Sequence, residues 1–398
     1  MGAEPWQRVR LFDVGDWFSG GTPSTSNGTY WNGDIPWISA ASMRSFSIEK
    51  SDRRLTATGA ASGSRIIPPG SILFVVRGMS LNKEFRVGVT RREVAFGQDC
   101  KAIIPHDWID SEFLANALLA HAPRILELVE TTSHGTGRLD TERLGRLAIG
   151  VPDLALQRRI VEVVTSFDYE IEALEGQIGK LGEVESGLVS MAFVDAGSPR
   201  LALGDLAEVS AGVTLGSEAA GAASVELPYL RVANVLDGAI DTSDLKSVKI
   251  FRAQLDRYSL LSGDVLLTEG GDIDKLGRGA VWDGRVDPCL HQNHIFRVRC
   301  SPDLIPEYLS LYTASYEGRN YFMRVGKQST NLASINSTQV RSMPIPVPTV
   351  DEQWRMLGPI LAARKYRSTL IAQVAKLRTI RKAVAEDLLT GRVAVGDL

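Results

Sequence analysis

The chain is written twice. "LFDVGDWFSGG" (Leu11 to Gly21) answers to "LGDLAEVSAG" (Leu203 to Gly212), and "IPWISAASM" from Ile35 answers to "LPYLRVANV" from Leu227. "IPPGSILFVVRG" from Ile67 matches "LLSGDVLLTEG" from Leu260, and "FGQDCKAI" matches "LHQNHIFRV". "AIGVPDLALQRR" from Ala148 closes the first copy as "PIPVPTVDEQWR" from Pro344 closes the second. Blocks in the same order, about 195 residues apart, define an internal duplication, so any fold must be built from two similar halves.

Both copies share one grammar. Roughly 140 residues of short apolar runs come first, broken by Gly, Pro, Asn and Asp; "SILFVV", "VGVT", "KAII", "DVLLT" and "HIFRV" read as strands. A short helical piece, "SEFLANALLAHAPRILELVE" in the first copy, comes late in each. Past Val151-Pro152 and Val347-Pro348 the pattern turns into a long helix, with Asp153 and Asp351 where a helix start favours an acidic residue. The first helix steps by four and three through Leu156, Ile160, Val164, Phe167, Ile171, Leu174, Ile178, Leu181 and Leu188, with Glu185 as an interruption. The second runs through Met356, Ile360, Ala363, Leu370, Val374, Leu377, Val384 and Leu388, with Arg367 and Arg381 at seam positions. These are heptad seams, and roughly 35 residues at 1.5 Å each make a rod of about 50 Å. Residues 151–200 hold 4 Lys/Arg against 9 Asp/Glu, and residues 347–398 hold 9 against 5, so opposite charge favours pairing of the two helices. A globular module between them makes that pair antiparallel. The expected fold is α+β: two α/β modules (1–150 and 196–346) and two long helices (151–195 and 347–398) forming an antiparallel coiled coil.

The chemistry points to binding. No Gly-x4-Gly-Lys-Ser/Thr phosphate loop occurs, and "GGDIDKLGRG" lacks a strand–turn–helix context. His291 and His294 have metal-like spacing, but three residues apart on a strand they face opposite sides. No catalytic residue, metal or cofactor is therefore expected. The three cysteines are scattered, no basic region leads into an apolar run at the start, and no apolar run reaches about 18 residues, so a reducing cytoplasm and no membrane partner are expected. The net charge of −3 conceals a basic region: residues 44–101 carry 11 Lys/Arg against 5 Asp/Glu.

"GGTPS…YWNGDIPWIS", "IIPPGSILFVVRG" and "GVPDLALQRRIVEVVTSFDYEIEALE", with "QSTNLASINSTQVRSMPIPVPTVDEQ" and "LLTGRV", resemble the specificity subunits of type I restriction–modification systems. The resemblance covers nearly the whole chain. It implies that each module is a target-recognition domain reading one half of a bipartite double-stranded DNA site, and that the helices set the gap between half-sites. It also implies recruitment of two methyltransferase subunits, with restriction/translocase subunits joining them, by a subunit that is itself non-catalytic. Two departures stand out: the second module lacks the Thr-Pro-Ser and Trp-rich loop, and Ala155-Leu156-Gln157 replaces the acidic pattern of Asp351-Glu352-Gln353. The specificity half of another bipartite methylation system and a coiled-coil protein adaptor are the alternatives.

Bases are read by side chains that reach groove edges, while Lys and Arg position phosphates. Loop residues between strand runs are the candidates: Thr22, Ser24, Arg44, Arg77, Lys83, Arg86, Gln98 and Arg138 in the first module. In the second they are Thr214, Arg231, Asn234, Lys275, Arg278, Gln292, Lys327 and Asn331. Tyr30, Trp31 and Trp37 are expected to pin the loop around Thr22-Pro23-Ser24 into the first core.

Overall fold

The structure is a computed structural model that describes residues 6–193, 198–214, 223–328 and 332–393. It divides into two compact units, residues 1–175 with 372–398, and residues 176–371. Among the described residues, no helix is long and apolar enough to cross a membrane.

In the first unit a five-stranded sheet runs in the order Gly15–Ser19, Cys100–Pro105, Ile72–Val75, Val87–Thr90, Ser47–Ile48. A second sheet joins Trp31–Ile38 to Val94–Phe96, and a small one joins Val129–Thr131, Gly137–Leu139 and Arg77–Gly78. The continuous apolar run Ile72–Val75 is buried throughout, as a central strand covered on both faces must be. The helix Ser111–Ala120 packs its Phe113, Leu114 and Leu118 into the same core; Asp110 caps it, accepting from the N–H of Glu112 and of Phe113 at 3.0 Å each.

The second unit repeats this plan. Ala207–Ala211, Ile295–Cys300, Val265–Thr268 and Gly279–Val281 form its main sheet, Gly270–Gly271, Ala333–Ser334 and Lys327–Gln328 the small one, and Pro306–Ala314 the covering helix. In each unit an N-terminal strand pairs antiparallel with the strand that precedes the long helix: Gln7–Arg10 with Ala148–Val151, and Arg200–Ala202 with Pro344–Pro346.

The long helices span Leu154–Ala192 and Val350–Leu389. Asp153 caps the first, its carboxylate accepting from Leu156 N at 2.8 Å. A capping box starts the second: Glu352 accepts from Thr349 N at 2.9 Å, and Thr349 Oγ1 accepts from Glu352 N at 3.4 Å. The heptad positions are the covered ones, Ile160, Val164 and Ile171 on one helix and Ile360, Leu370, Val374 and Leu388 on the other. Pairing is antiparallel in both units. Asp168, early in the first helix, meets Arg381, late in the second, at 2.6 Å in the first unit. In the second unit Glu185, late in its helix, meets Arg364 at 2.5 Å and Arg367 at 3.4 Å. The apparent interruption at Glu185 is thus an internal ion pair, and Arg367 and Arg381 lie on the seam to meet carboxylates. In the first unit this register puts Leu174 level with Leu377.

Each long helix is locked to its own module by one buried glutamine. Gln157 is fully buried; its Oε1 accepts from Asp110 N at 2.8 Å, and its Nε2 donates to Trp108 O at 3.1 Å and Pro152 O at 2.9 Å. Gln353 repeats this in the second unit, accepting from Ile305 N at 2.9 Å and donating to Asp303 O at 2.8 Å and Pro348 O at 3.0 Å. Replacing Gln157 with Leu strands a buried N–H and two carbonyls, and is expected to cost roughly 3 kcal/mol. Gln157→Glu is expected to destabilise as well, because it keeps the acceptor and loses both donors. A urea-unfolding midpoint equal to wild type for both variants would contradict this role.

Candidate nucleic-acid interface

The loop Gly20–Ser26 in the first unit is held from behind by indoles and glycines. Trp37 Nε1 donates to Gly21 O at 3.1 Å and Trp31 Nε1 donates to Ser24 O at 3.1 Å. The two rings meet edge to face with centroids 5.5 Å apart, and Arg53 lies over Trp31 at 3.9 Å from its centroid. Tyr30 contributes through its backbone, its carbonyl accepting from Thr56 N at 3.0 Å. A side chain at Gly20 or Gly21 would collide with the backbone, since a Cβ there falls 2.3 Å from Gly97 O or 2.2 Å from Gly63 O. The loop is therefore a fixed element, and its Thr22 Oγ1 donates to the Gln98 carboxamide.

Gln98 opens onto a cleft of about 730 Å³ with Arg77, Lys101 and Arg138 in its lining. Arg77 and Arg138 are direct partners in the small sheet, and Glu130 stands opposite Arg138 on the next strand. Asn82 secures the hairpin behind them, donating to Gly135 O at 2.8 Å and accepting from Thr131 Oγ1 at 3.1 Å. Asp140 and Glu142 also line the cleft, so it presents both donors and acceptors. Four of the sequence candidates, Thr22, Arg77, Gln98 and Arg138, are thus brought together.

The other first-unit candidates lie elsewhere. Arg44 and Arg86 share a separate cleft of about 300 Å³. Arg44 donates to Ala41 O at 3.2 Å, and Arg86 is tied to Glu84 at 2.9 Å and to Ala40 O at 3.4 Å. Arg77 and Arg86, close in sequence, therefore line different clefts. Ser24 is exposed at the loop tip with its hydroxyl 2.8 Å from Ser26 Oγ, and Lys83 is exposed after the turn Met79–Asn82.

In the second unit Lys327 is exposed and lines a cleft of about 660 Å³ with Glu269 and His294. Thr214 is exposed, Lys275 pairs with Asp272, and Arg278 is half-buried beside the turn Ile273–Lys275. Arg231 is bound to Asp244 at 2.8 Å. Asn234 is a correction: it is buried, accepting from Arg231 N at 2.9 Å and donating to Asp241 O at 2.9 Å and Asp244 O at 3.2 Å, so it shapes its loop from inside. Gln292 is half-buried with its N–H given to Leu230 O at 2.9 Å. Asn331 lies outside the described residues.

Sequence reasoning missed Lys101, Arg53 and the contact between His294 and Glu269. Lys101 carried a signal, since it alternates with buried Cys100 and Ala102 on its strand; Arg53 and Glu269 carried none, because their partners come from distant segments. His291 and His294 do not share a strand as expected: His291 ends Leu290–His291 and is buried with Nδ1 3.1 Å from Ile295 O, and His294 lies exposed in the turn that follows. Among the described residues, no group of His, Cys, Asp and Glu could hold a metal ion. Burial pushes the Cys100 thiol up to about 12 and the Cys289 thiol up to about 11, so both stay protonated and unreactive near neutral pH.

Residues 3–182 match the family model for the type I restriction modification DNA specificity domain. The specificity subunit of the EcoR124I/EcoR124II type I restriction enzyme of Escherichia coli is 32% identical over 160 residues, 40% of each protein. The first half of the chain is thus similar to type I restriction–modification specificity subunits. A second specificity subunit, MjaIX of Methanocaldococcus jannaschii, is 26% identical over 266 residues, 60% of each protein. A solved structure described as the basis of complex assembly and conformational transition of the type I R-M system aligns over 98% of this chain and 99% of its own, with a TM-score of 0.64 at 14% identity. The type I S subunit from M. genitalium aligns over 96% of both chains with a TM-score of 0.57 at 13% identity. These two share the fold of this chain. The matched segment of the E. coli relative is less than half of that protein's length.

Burial lowers the His291 pKa to about 4 from 6.5, because the charged ring would lose its hydration. An unfolded chain binds that proton more readily, so the stability is present above pH 6.5 and is lost as pH falls through 4. The unfolding free energy is expected to decline over this window in wild type and to decline less in His291→Gln, measured by denaturant titration at a series of pH values.

Proposed function

We propose that this chain is the non-catalytic DNA-reading subunit of a type I restriction–modification complex. Each unit reads one half of a bipartite duplex site, and the paired helices recruit two methyltransferase subunits, joined by restriction/translocase subunits, in the cytoplasm. The observation that carries this reading is the first-unit cleft. Arg77, Lys101 and Arg138 converge there with Gln98, which the rigid Thr22 loop holds in place, inside the segment matched by the specificity-domain family. Arginine and lysine supply donors to phosphate and guanine acceptors, and a glutamine amide suits adenine, whereas the carboxylates nearby accept from cytosine amino groups. An overall charge of −3 is compatible with this, because partner subunits share the phosphate contacts.

Two measurements test the reading. Base-resolution methylation mapping in cells with and without this chain is expected to reveal a split motif that depends on it. With its methyltransferase partner, the Arg77→Ala/Arg138→Ala variant is expected to bind cognate duplex at least about tenfold more weakly and to lower the salt slope by about 2. Arg44→Ala/Arg86→Ala tests the second cleft separately. Unchanged affinity and slope in a folded Arg77/Arg138 variant would remove that cleft from the interface.

A further inference from the structure

The two units let their clefts be compared position by position. Val75 pairs with Cys100 in the first unit as Thr268 pairs with Ile295 in the second. Val76 N donates to Asp99 O at 2.9 Å, and Glu269 N donates to His294 O at 3.0 Å. Gly78 and Gly271 then share a backbone state open to glycine, with φ of +152° and +148°. On this frame Arg77 corresponds to Gly270, Arg138 to Ser334, Glu130 to Lys327, and Asp99 to His294. Both cleft arginines of the first unit are replaced, and the acid opposite them becomes a lysine.

Polar chemistry in the second cleft comes from a different source. His294 Nδ1 lies 2.5 Å from Glu269 Oε2, and the His294 side chain is 56% exposed against 30% for Glu269. The carboxylate is the covered partner that orients the ring, and the ring is what a ligand meets. Val232 and Leu332 supply an apolar wall beside it, a lining suited to the flat edge of a base more than to a phosphate.

Building on the function proposed above, we infer that His294, oriented by Glu269, reads one base pair of the half-site taken by the second unit. A ring held through Nδ1 offers its other nitrogen to a single base edge. Glu269 is a positioning residue that acts through His294.

The test uses the full chain with its methyltransferase partner in cells, read by base-resolution methylation mapping. His294→Ala is expected to relax discrimination about tenfold at one base pair in one half of the split motif and to leave the other half unchanged. Glu269→Gln, which keeps the side-chain shape, is expected to relax the same base pair. An unchanged motif in His294→Ala, or relaxation in the half that Arg77→Ala/Arg138→Ala affects, would overturn the inference. Should His294→Ala abolish methylation, Glu269→Gln decides: relaxation at one base pair supports the inference, and an unaltered motif overturns it. Failure of the broader reading is distinct, because wild type would then direct no split-motif methylation at all, and this inference would fall with it.

Discussion

A helix can carry the orientation of a globular module only if no hinge lies between them. Gln157 and Gln353 remove that hinge. Each is fully buried where a proline-marked strand end turns into a long helix, and each spends its amide on one N–H and two carbonyls. Those backbone groups lie in the loop that leads into the covering helix and at the helix start itself. Loss of the amide would leave buried polar groups unpaired, a cost that bending at the junction would have to meet. The clamp occurs in both repeats with the same partners, so each unit behaves as module and helix in one piece.

The seam between helices obeys a similar economy of buried charge. Glu185 occupies a position that apolar periodicity reserves for leucine, yet it is covered, meeting Arg364 and Arg367 in its own unit. Asp168 and Arg381 also pair in the other unit, where the carboxylate is exposed. A buried charge tolerates only an arrangement that supplies its partner, so such pairs select register more than they add stability. Parallel pairing would place Glu185 beside the end of the second helix, away from Arg364.

The two modules share a frame and differ in the side chains that it displays. Gly20 and Gly212 both approach a neighbouring backbone so closely that a Cβ has no space, and Gly78 and Gly271 share one uncommon φ. Those positions are dictated by the path of the chain. Between them, at matched points in the small sheet, arginines give way to glycine and serine while a glutamate gives way to lysine. Divergence at the cleft, on a frame whose backbone constraints are shared, fits the proposal that the two units read different half-sites.

The duplication, the strand-rich modules, both long helices with their seams and the absence of familiar catalytic motifs were legible in the residues. These properties are periodic or local: a heptad, a cap such as Asp153 and a glycine turn report on neighbours a few residues away. The cleft was only half legible. Arg77 and Gln98 stood out as polar residues at strand ends, but their convergence with Arg138 depends on pairing across some 60 residues of sequence. The same distance problem concealed the hold of Glu269 on His294. Which residues lie on a strand is a matter of local pattern. Which of them face one another across a groove is decided by sheet register, and register is a property of the folded chain.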